Sequence, residues 1–410
     1  MTKFPKTIFL IAAGVLVACS RPQCVVTPLP EQITYKGGYC ACDSSRAVVG
    51  EFAKLESRID PSAEGIRAEG YRLQIDRRKI LLTAIDSAGL FYGKQTLRQL
   101  ATAQGIPCVE VLDNPRFAYR GMHLDVSRHF FPKEQIFKIL DEMAYYKLNK
   151  FHFHLCDNGG WRIQIDKYPL LTKLGSHRME IEWLKWWDFG DKHYVPEDTP
   201  GAYGGYYTKE DIRQIVSYAA GRHIDVIPEI EFPAHSDEVF VGYPEFCCTG
   251  RPYTTGEFCV GNPATLRFAE DVLTEIMELF PSKYIHIGGD EARKVAWKSC
   301  PKCQHLAREV GGFEEVQCYM IELFLAEHGR VMMGWDEILK NSLRSSSVPI
   351  SYRGQRGGIE GANRGLNVIM SPGEMIYFDW YQADPCTQPR AMSGFSPIKK
   401  VYSFYPVPDT

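Results

Sequence analysis

The segment His286-Ile-Gly-Gly-Asp290-Glu291 places two adjacent carboxylates directly behind two glycines. Glycine tolerates positive φ and close backbone approach, so the chain can turn sharply there and present both acids together. Neighbouring carboxylates in one crowded site do not both ionise freely, which predicts a raised pKa for one of them. A carboxyl still protonated near neutral pH is what general acid catalysis requires. Asp125, Asp157, Glu229, Glu231, Trp335, Asp336 and Arg353 stand at comparable points along the chain. Carboxylates beside aromatic faces suit a sugar, whose ring offers apolar C–H faces and a hydroxyl perimeter.

Two other groups of residues invite metal chemistry. His152 and His154 share one face of a predicted strand, but no third ligand follows at a recognisable spacing, so core packing is the simpler reading. Cys300-Pro-Lys-Cys303 is a single C-x-x-C. A zinc site normally needs a second pair, or histidines at set spacing. The expectation is a local disulfide or no role, with no metal assigned. No G-x-G-x-x-G follows a first strand, so no dinucleotide cofactor is expected either.

The acids fall where predicted strands end. Apolar runs at Arg120–Leu124, Lys150–Leu155, Ile224–Ile230, Tyr284–Ile287, Val331–Met333, Val348–Tyr352 and Leu366–Met370 read as seven strands. Helical patterns separate several of them: one opened by Pro132, then Thr208–Arg222 with Thr208 and Asp211 as a capping pair, Pro263–Phe280, and Phe313–His328. Strands alternating with crossover helices imply a parallel sheet, and this many repeats imply a (β/α)8 TIM barrel with its chemistry at the strands' C-terminal ends. Residues 20–114 read as a separate small α/β domain, with strands Tyr71–Ile75 and Lys79–Ala84 and a helix Ala88–Leu100 striped by Leu90, Phe91, Leu97 and Leu100. Asn114-Pro115 marks the boundary, and the barrel takes residues 115–410.

Composition narrows the class. The 410 residues are 45% hydrophobic and 24% charged, ordinary for a globular chain with a real core. Lys+Arg is 47 against Asp+Glu 50, a net charge of −3, which leaves no electrostatic footprint for nucleic acid. Thirteen cysteines are too dilute for a disulfide scaffold. Residues 1–19 carry Lys3 and Lys6, an apolar or small run from Ile8 to Ala18, and then Cys19. That is the form of a secretory signal, too short to span a bilayer. Leu16-Val-Ala-Cys19 is similar to a bacterial lipobox. The expectation is a lipid anchor at Cys19, with the protein held at the cell envelope, in the periplasm or outer membrane, through that anchor alone.

Six segments occur in order: Arg120-Gly-Met-His-Leu-Asp-Val-Ser-Arg128-His-Phe130, His154-Leu-Cys-Asp157-Asn-Gly-Gly-Trp-Arg162, Pro228-Glu-Ile-Glu-Phe-Pro-Ala-His235, His286 to Glu291, Gly334-Trp335-Asp-Glu337 and Tyr377-Phe-Asp379. Together they closely resemble family 20 glycoside hydrolases, the β-N-acetylhexosaminidases. Ala88-Gly-Leu-Phe-Tyr-Gly-Lys-Gln-Thr-Leu97 extends the likeness into the small first domain. The resemblance implies an exo-acting enzyme that releases terminal β-linked N-acetylglucosamine or N-acetylgalactosamine without a cofactor, its substrate's own acetamido oxygen serving as nucleophile. It implies that Glu291 is the general acid and then the base, and that Asp290 holds the acetamido group. It further implies that Tyr377 donates to the acetamido carbonyl, and that Arg120 and Asp379 bind sugar hydroxyls. Asp157 and His235 would support the acid, and Trp335 would wall the acetamido pocket.

Two departures from the family pattern stand out. Tyr352 occupies a place before Arg353-Gly354 where members generally carry tryptophan, and an eighth strand with its sugar-gripping residues is expected to be missing before Thr410. Val401-Tyr-Ser-Phe-Tyr405 is a poor substitute for that strand. An alternative expectation is therefore a catalytically impaired sugar-binding relic of the same fold. A more remote one is a metal-dependent hydrolase using His152, His154 and Asp290.

Overall fold

The computed structural model describes residues 26–41, 50–316 and 319–408, and the signal and lipobox expected over residues 1–19 lie outside them. The chain divides into two compact units, residues 1–116 and 117–410.

In the first unit a five-stranded sheet runs in the order β1-β5-β3-β4-β2, from strands β1 (Gln32–Cys40), β2 (Leu55–Ile59), β3 (Tyr71–Ile75), β4 (Ile80–Ala84) and β5 (Ile106–Asp113). One helix, α1 (Ser87–Leu100), packs on it, its first turn capped by Asp86 accepting from the Gly89 N–H at 2.7 Å. The expected β3–β4 hairpin and the helix are present. Strands β1, β2 and β5 went unread, because β1 and β2 are exposed along most of their length and lack a continuous apolar face.

The second unit is built on seven parallel strands that neighbour one another in chain order: β6 (Gly121–Asp125), β7 (Lys150–His154), β8 (Asp225–Phe232), β9 (Tyr284–Gly288), β10 (Val331–Trp335), β11 (Val348–Ser351) and β12 (Ile369–Met370). Sequential order in a parallel sheet is the arrangement of a TIM barrel, and the central strands are buried almost throughout, as helices on the outer face require. The principal crossovers are α2 (Lys133–Tyr145), α3 (Lys209–Ala220), α4 (Pro263–Leu279), α5 (Tyr319–Glu327) and α6 (Arg356–Asn363). The Thr208–Asp211 capping box is formed, and Asn262 caps α4. Of the helix expected over Phe313–His328, the described stretches Phe313–Val316 and Tyr319–Glu327 are helical.

Among the described residues no strand pairs the outer edge of β6 or of β12. The first strand shows it: β6 is exposed or half-exposed along its length, whereas β7 beside it is buried after its first residue. Ile398–Tyr402, within the segment that could have closed the sheet, is a short helix.

Candidate active site

Parallel register sets one polar layer across the sheet. Asp125 pairs with His154, His154 with Glu229, Glu229 with His286, and His286 with Met333. His152 Nε2 lies 2.8 Å and His154 Nδ1 2.5 Å from Glu229 Oε2, while His286 Nδ1 lies 2.8 Å from Glu229 Oε1. Trp335 Nε1 donates to the same Oε1 at 2.9 Å. With His123 Nε2 at 3.3 Å as well, Glu229 is the hub for four imidazoles and an indole, and attraction to the histidines outweighs burial to hold its carboxyl ionised. Burial alone would depress His154, but Glu229, Asp125 and Asp157 overcome it and keep that imidazole charged. Burial wins at His152, whose pKa falls to about 3. The structure turns His152 and His154 onto Glu229 rather than onto Asp290.

One step further along the strands lies the rim. His154 Nε2 is 3.0 Å from Asp157 Oδ2, and Asp157 Oδ1 is 3.2 Å from His235 Nδ1. The other ring nitrogen, His235 Nε2, stands 3.4 Å from both Asp290 Oδ2 and Glu291 Oε2. A continuous chain of ionisable groups therefore runs from the core to the paired acids. Left-handed backbone recurs around it: His235 at φ 53°, Gly288 at φ 68°, Gly289 at φ 86° and Glu291 at φ 51°. Non-glycine residues held at positive φ are uncommon, and such strain concentrates at functional sites. Gly288 has a second reason to be glycine, since a Cβ there would fall 1.8 Å from Glu231 Oε2.

The electrostatics decide which of the adjacent pair is raised. Of the adjacent pair it is Asp290, not Glu291, whose pKa rises, because Asp290 is buried. Glu291 is lowered by its hydrogen bond with His235, and its side chain is 63% exposed. His235 is held charged because Asp157, Glu291 and Asp290 outweigh its burial.

Arg120 is also corrected. Its guanidinium donates to the carbonyls of Lys147 at 2.8 Å and Phe117 at 2.7 Å, beside the N-terminal end of β6 and away from the rim. The arginine on the rim is Arg128, eight positions on in the same segment. It reaches Asp125 at 2.6 Å and Asp157 at 2.7 Å, and Trp183 covers it at 5.3 Å. Its place after the strand's C-terminal end was the available signal.

Trp335 is buried and Tyr352 packs edge-on to it at 5.3 Å between ring centres. Tyr352 donates to Glu337 at 3.0 Å, and burial lifts the Glu337 carboxyl to about 7. Tyr377 is half-buried just after a short helix, Gly373–Ile376, and burial pushes its phenol up, with Glu229, Asp379 and Asp290 adding to the effect. Asp379 is exposed on the same side, within the field of Arg128, Asp125 and His123.

The lone C-x-x-C is not isolated in the fold, and among the described residues it forms no disulfide. Cys248 and Cys259, unremarked in the sequence, meet Cys300 and Cys303 in one cluster of four sulfurs. The second pair was not at a familiar spacing from the first.

Seven parallel strands in sequential order, with carboxylates, an arginine and aromatic rings gathered at their C-terminal ends, define a TIM-barrel type of site. Residues 117–410 match the catalytic domain of glycosyl hydrolase family 20, and residues 51–114 match domain 2 of that family. The chain belongs to glycosyl hydrolase family 20. It is 41% identical over 401 residues to a β-hexosaminidase of Porphyromonas gingivalis, covering 89% of this chain and 49% of that protein. A β-hexosaminidase of Vibrio furnissii is 35% identical over 378 residues, covering 87% and 60%. The crystal structure of a family 20 exo-β-N-acetylglucosaminidase from Vibrio harveyi in complex with N-acetylglucosamine superposes with a TM-score of 0.79 at 27% identity, covering 93% of this chain and 66% of that one. The chain thus spans about half to 60% of the length of these two curated relatives.

Proposed function

We propose that the barrel unit hydrolyses terminal β-linked N-acetylhexosamine from glycans by an exo-acting, retaining, substrate-assisted route. The observation that carries this reading is the chain Asp157–His235–Asp290/Glu291, with both acids 3.4 Å from one imidazole nitrogen at the strand ends. The acetamido carbonyl oxygen attacks C1 while Glu291 gives its proton to the glycosidic oxygen, and the C1–O bond breaks. Asp290 accepts from the acetamido N–H and offsets the positive charge of the oxazolinium ring. Glu291, now a base, takes a proton from water, which attacks C1 and restores the acetamido group.

His235 explains how an acid with a lowered pKa can serve. The pair His235–Glu291 holds one proton, resting on the imidazole. A sugar seated over Glu291 removes it from water, raises its pKa and draws the proton across. Tyr377 donates to the acetamido carbonyl, and Trp335, anchored on Glu229, walls the pocket. Arg128, rather than Arg120, forks onto sugar hydroxyls with Asp379 nearby, a task its rigid donor geometry suits.

Glu291→Gln is the direct test. Turnover of natural β-GlcNAc linkages should fall within the ~10²–10⁴ range of acid–base catalysis, and that of an aryl substrate with an activated leaving group by a smaller factor. Equal losses would exclude the acid role. A thiazoline mimic of the bicyclic intermediate should bind far more tightly than N-acetylglucosamine, and β-glucosides should not turn over.

One rival is a catalytically impaired sugar-binding relic of the same fold. Tight thiazoline binding with no turnover of any aryl β-GlcNAc would establish it. The reading also carries a bacterial envelope location through lipid on Cys19. Metabolic labelling with palmitate, lost in Cys19→Ala, tests the anchor.

A further inference from the structure

Four cysteines far apart in sequence converge beside the rim. Cys248 and Cys259 belong to the excursion that follows β8, and Cys300 and Cys303 to the one that follows β9. Cys248 Sγ lies 3.6 Å from Cys303 Sγ, and Cys259 Sγ lies 3.7 Å from both Cys300 Sγ and Cys303 Sγ. All four are free thiols, and all four sulfurs lie within 4.8 Å of one another. A disulfide would need about 2.05 Å between sulfurs. A tetrahedron of sulfurs at about 2.3 Å from a central ion has edges of about 3.8 Å, close to those observed.

Polar groups and a helix end face the sulfurs. Cys303 sits in the first turn of the helix Pro301–Val310, where the N-terminal dipole stabilises negative charge. The Gly261 N–H hydrogen-bonds the Cys303 sulfur, and the Lys302 ammonium lies within the field of Cys259. The backbones are knit closely as well: a Cβ on Gly261 would lie 2.2 Å from the Lys302 carbonyl carbon and 2.4 Å from the Cys303 nitrogen. Cys259 and Cys303 are buried, while Cys248 and Cys300 are partly covered. Four soft ligands in tetrahedral array, with the protein filling every position, are the pattern of a structural zinc centre rather than a catalytic one.

We propose that Cys248, Cys259, Cys300 and Cys303 bind one zinc ion that clamps the excursion carrying His235 to the excursion carrying Asp290 and Glu291. The ion takes no part in bond making. It fixes two segments whose mutual position sets the 3.4 Å approach of His235 to Glu291.

The test uses the full chain purified without added metal and does not depend on which sugar, if any, is hydrolysed. Elemental analysis should give one zinc per chain. The four thiols should resist a thiol reagent in the folded protein until the ion is displaced, and chelation should lower Tm reversibly. Cobalt substitution should produce the sulfur-to-metal charge-transfer bands of a tetrahedral thiolate site. Cys248→Ser and Cys300→Ser should each lose zinc and lower Tm. Should neither variant fold, metal content and thiol counting on the unaltered chain still decide. Stoichiometric iron in place of zinc would overturn the assignment. So would four freely reactive thiols without metal, or a mass lowered by four hydrogens, the mark of two disulfides.

Discussion

At the residue scale the site depends on where one proton rests. Asp157, Asp290 and Glu291 all face His235 and hold its imidazole charged against the cost of burial. In the proposed mechanism the protonated pair is the competent form. A group whose pKa is raised keeps its proton below that value and loses it as pH rises through it, so His235 sets the alkaline limit of kcat/KM. In His235→Asn, Glu291 must hold the proton alone, at a carboxylate's lower pKa. The alkaline limb should then move to lower pH by at least about one unit, against an acid limb left in place. An unmoved alkaline limb would remove His235 from the proton path.

The two arginines of the Arg120–Arg128 segment separate by the same kind of measurement. Arg128 stands on the rim between Asp125 and Asp157, whereas Arg120 ties main-chain carbonyls together at the opposite end of β6. Arg128→Lys keeps the charge but loses the fork, and should raise KM for aryl β-GlcNAc roughly tenfold or more, the loss of about 1.4 kcal/mol of charge-assisted hydrogen bonding. Arg120→Lys should leave KM nearly unchanged and lower Tm instead.

At the scale of elements, the turn after β9 is the tightest constraint on the acids. Gly288 and Gly289 both adopt positive φ, at 68° and 86°, so the strand turns immediately before Asp290. Gly288→Ala would meet both strain and the buried Glu231 carboxylate 1.8 Å away. Gly250→Ala is a control with φ 66° and nothing within 4 Å of its Cβ. Gly288→Ala should therefore cost about 1–3 kcal/mol more in denaturant unfolding than Gly250→Ala, with a fall in kcat that the control does not show.

Sequence pattern revealed this much of the element scale and no more. Seven barrel strands, the capped α3 and the two-glycine turn could be read because hydrophobic period, capping chemistry and glycine geometry are local signals. Three of the five strands in the first unit were not, since their pairing is settled by partners distant in sequence. The same limit hid the role of Glu229, which only parallel register places between His154 and His286. It also hid the sulfur cluster, because Cys259 and Cys300 are brought together by two neighbouring strands rather than by spacing. The motif names a segment, whereas strand polarity decides that Arg128 and not Arg120 stands at the C-terminal end of β6.

At the scale of the whole molecule, the sheet formed by the described residues has two unpaired edges. A closed barrel leaves no strand edge, but here β6 and β12 each carry an outer edge that no described residue pairs. The effect reaches the core: His123, on β6, leaves its side chain 35% exposed although its neighbour His152 on β7 is only 4% exposed. Tyr119, Tyr352 and Ile369 pack only partly buried against the apolar cluster of Ile227, Met333, Trp335 and Ile350. Water meets the unpaired groups of an exposed edge, but such an edge beside apolar surface remains a template for pairing with another chain. The 410-residue chain should therefore melt lower, associate more readily and hydrolyse aryl β-GlcNAc more slowly than a chain extended by one further parallel strand fitted between β12 and β6. Thermal melts, sedimentation and initial rates on the two forms measure this directly. If the 410-residue chain is monomeric, equally stable and equally active, its edges are already covered, and the gap between β12 and β6 has no bearing on catalysis.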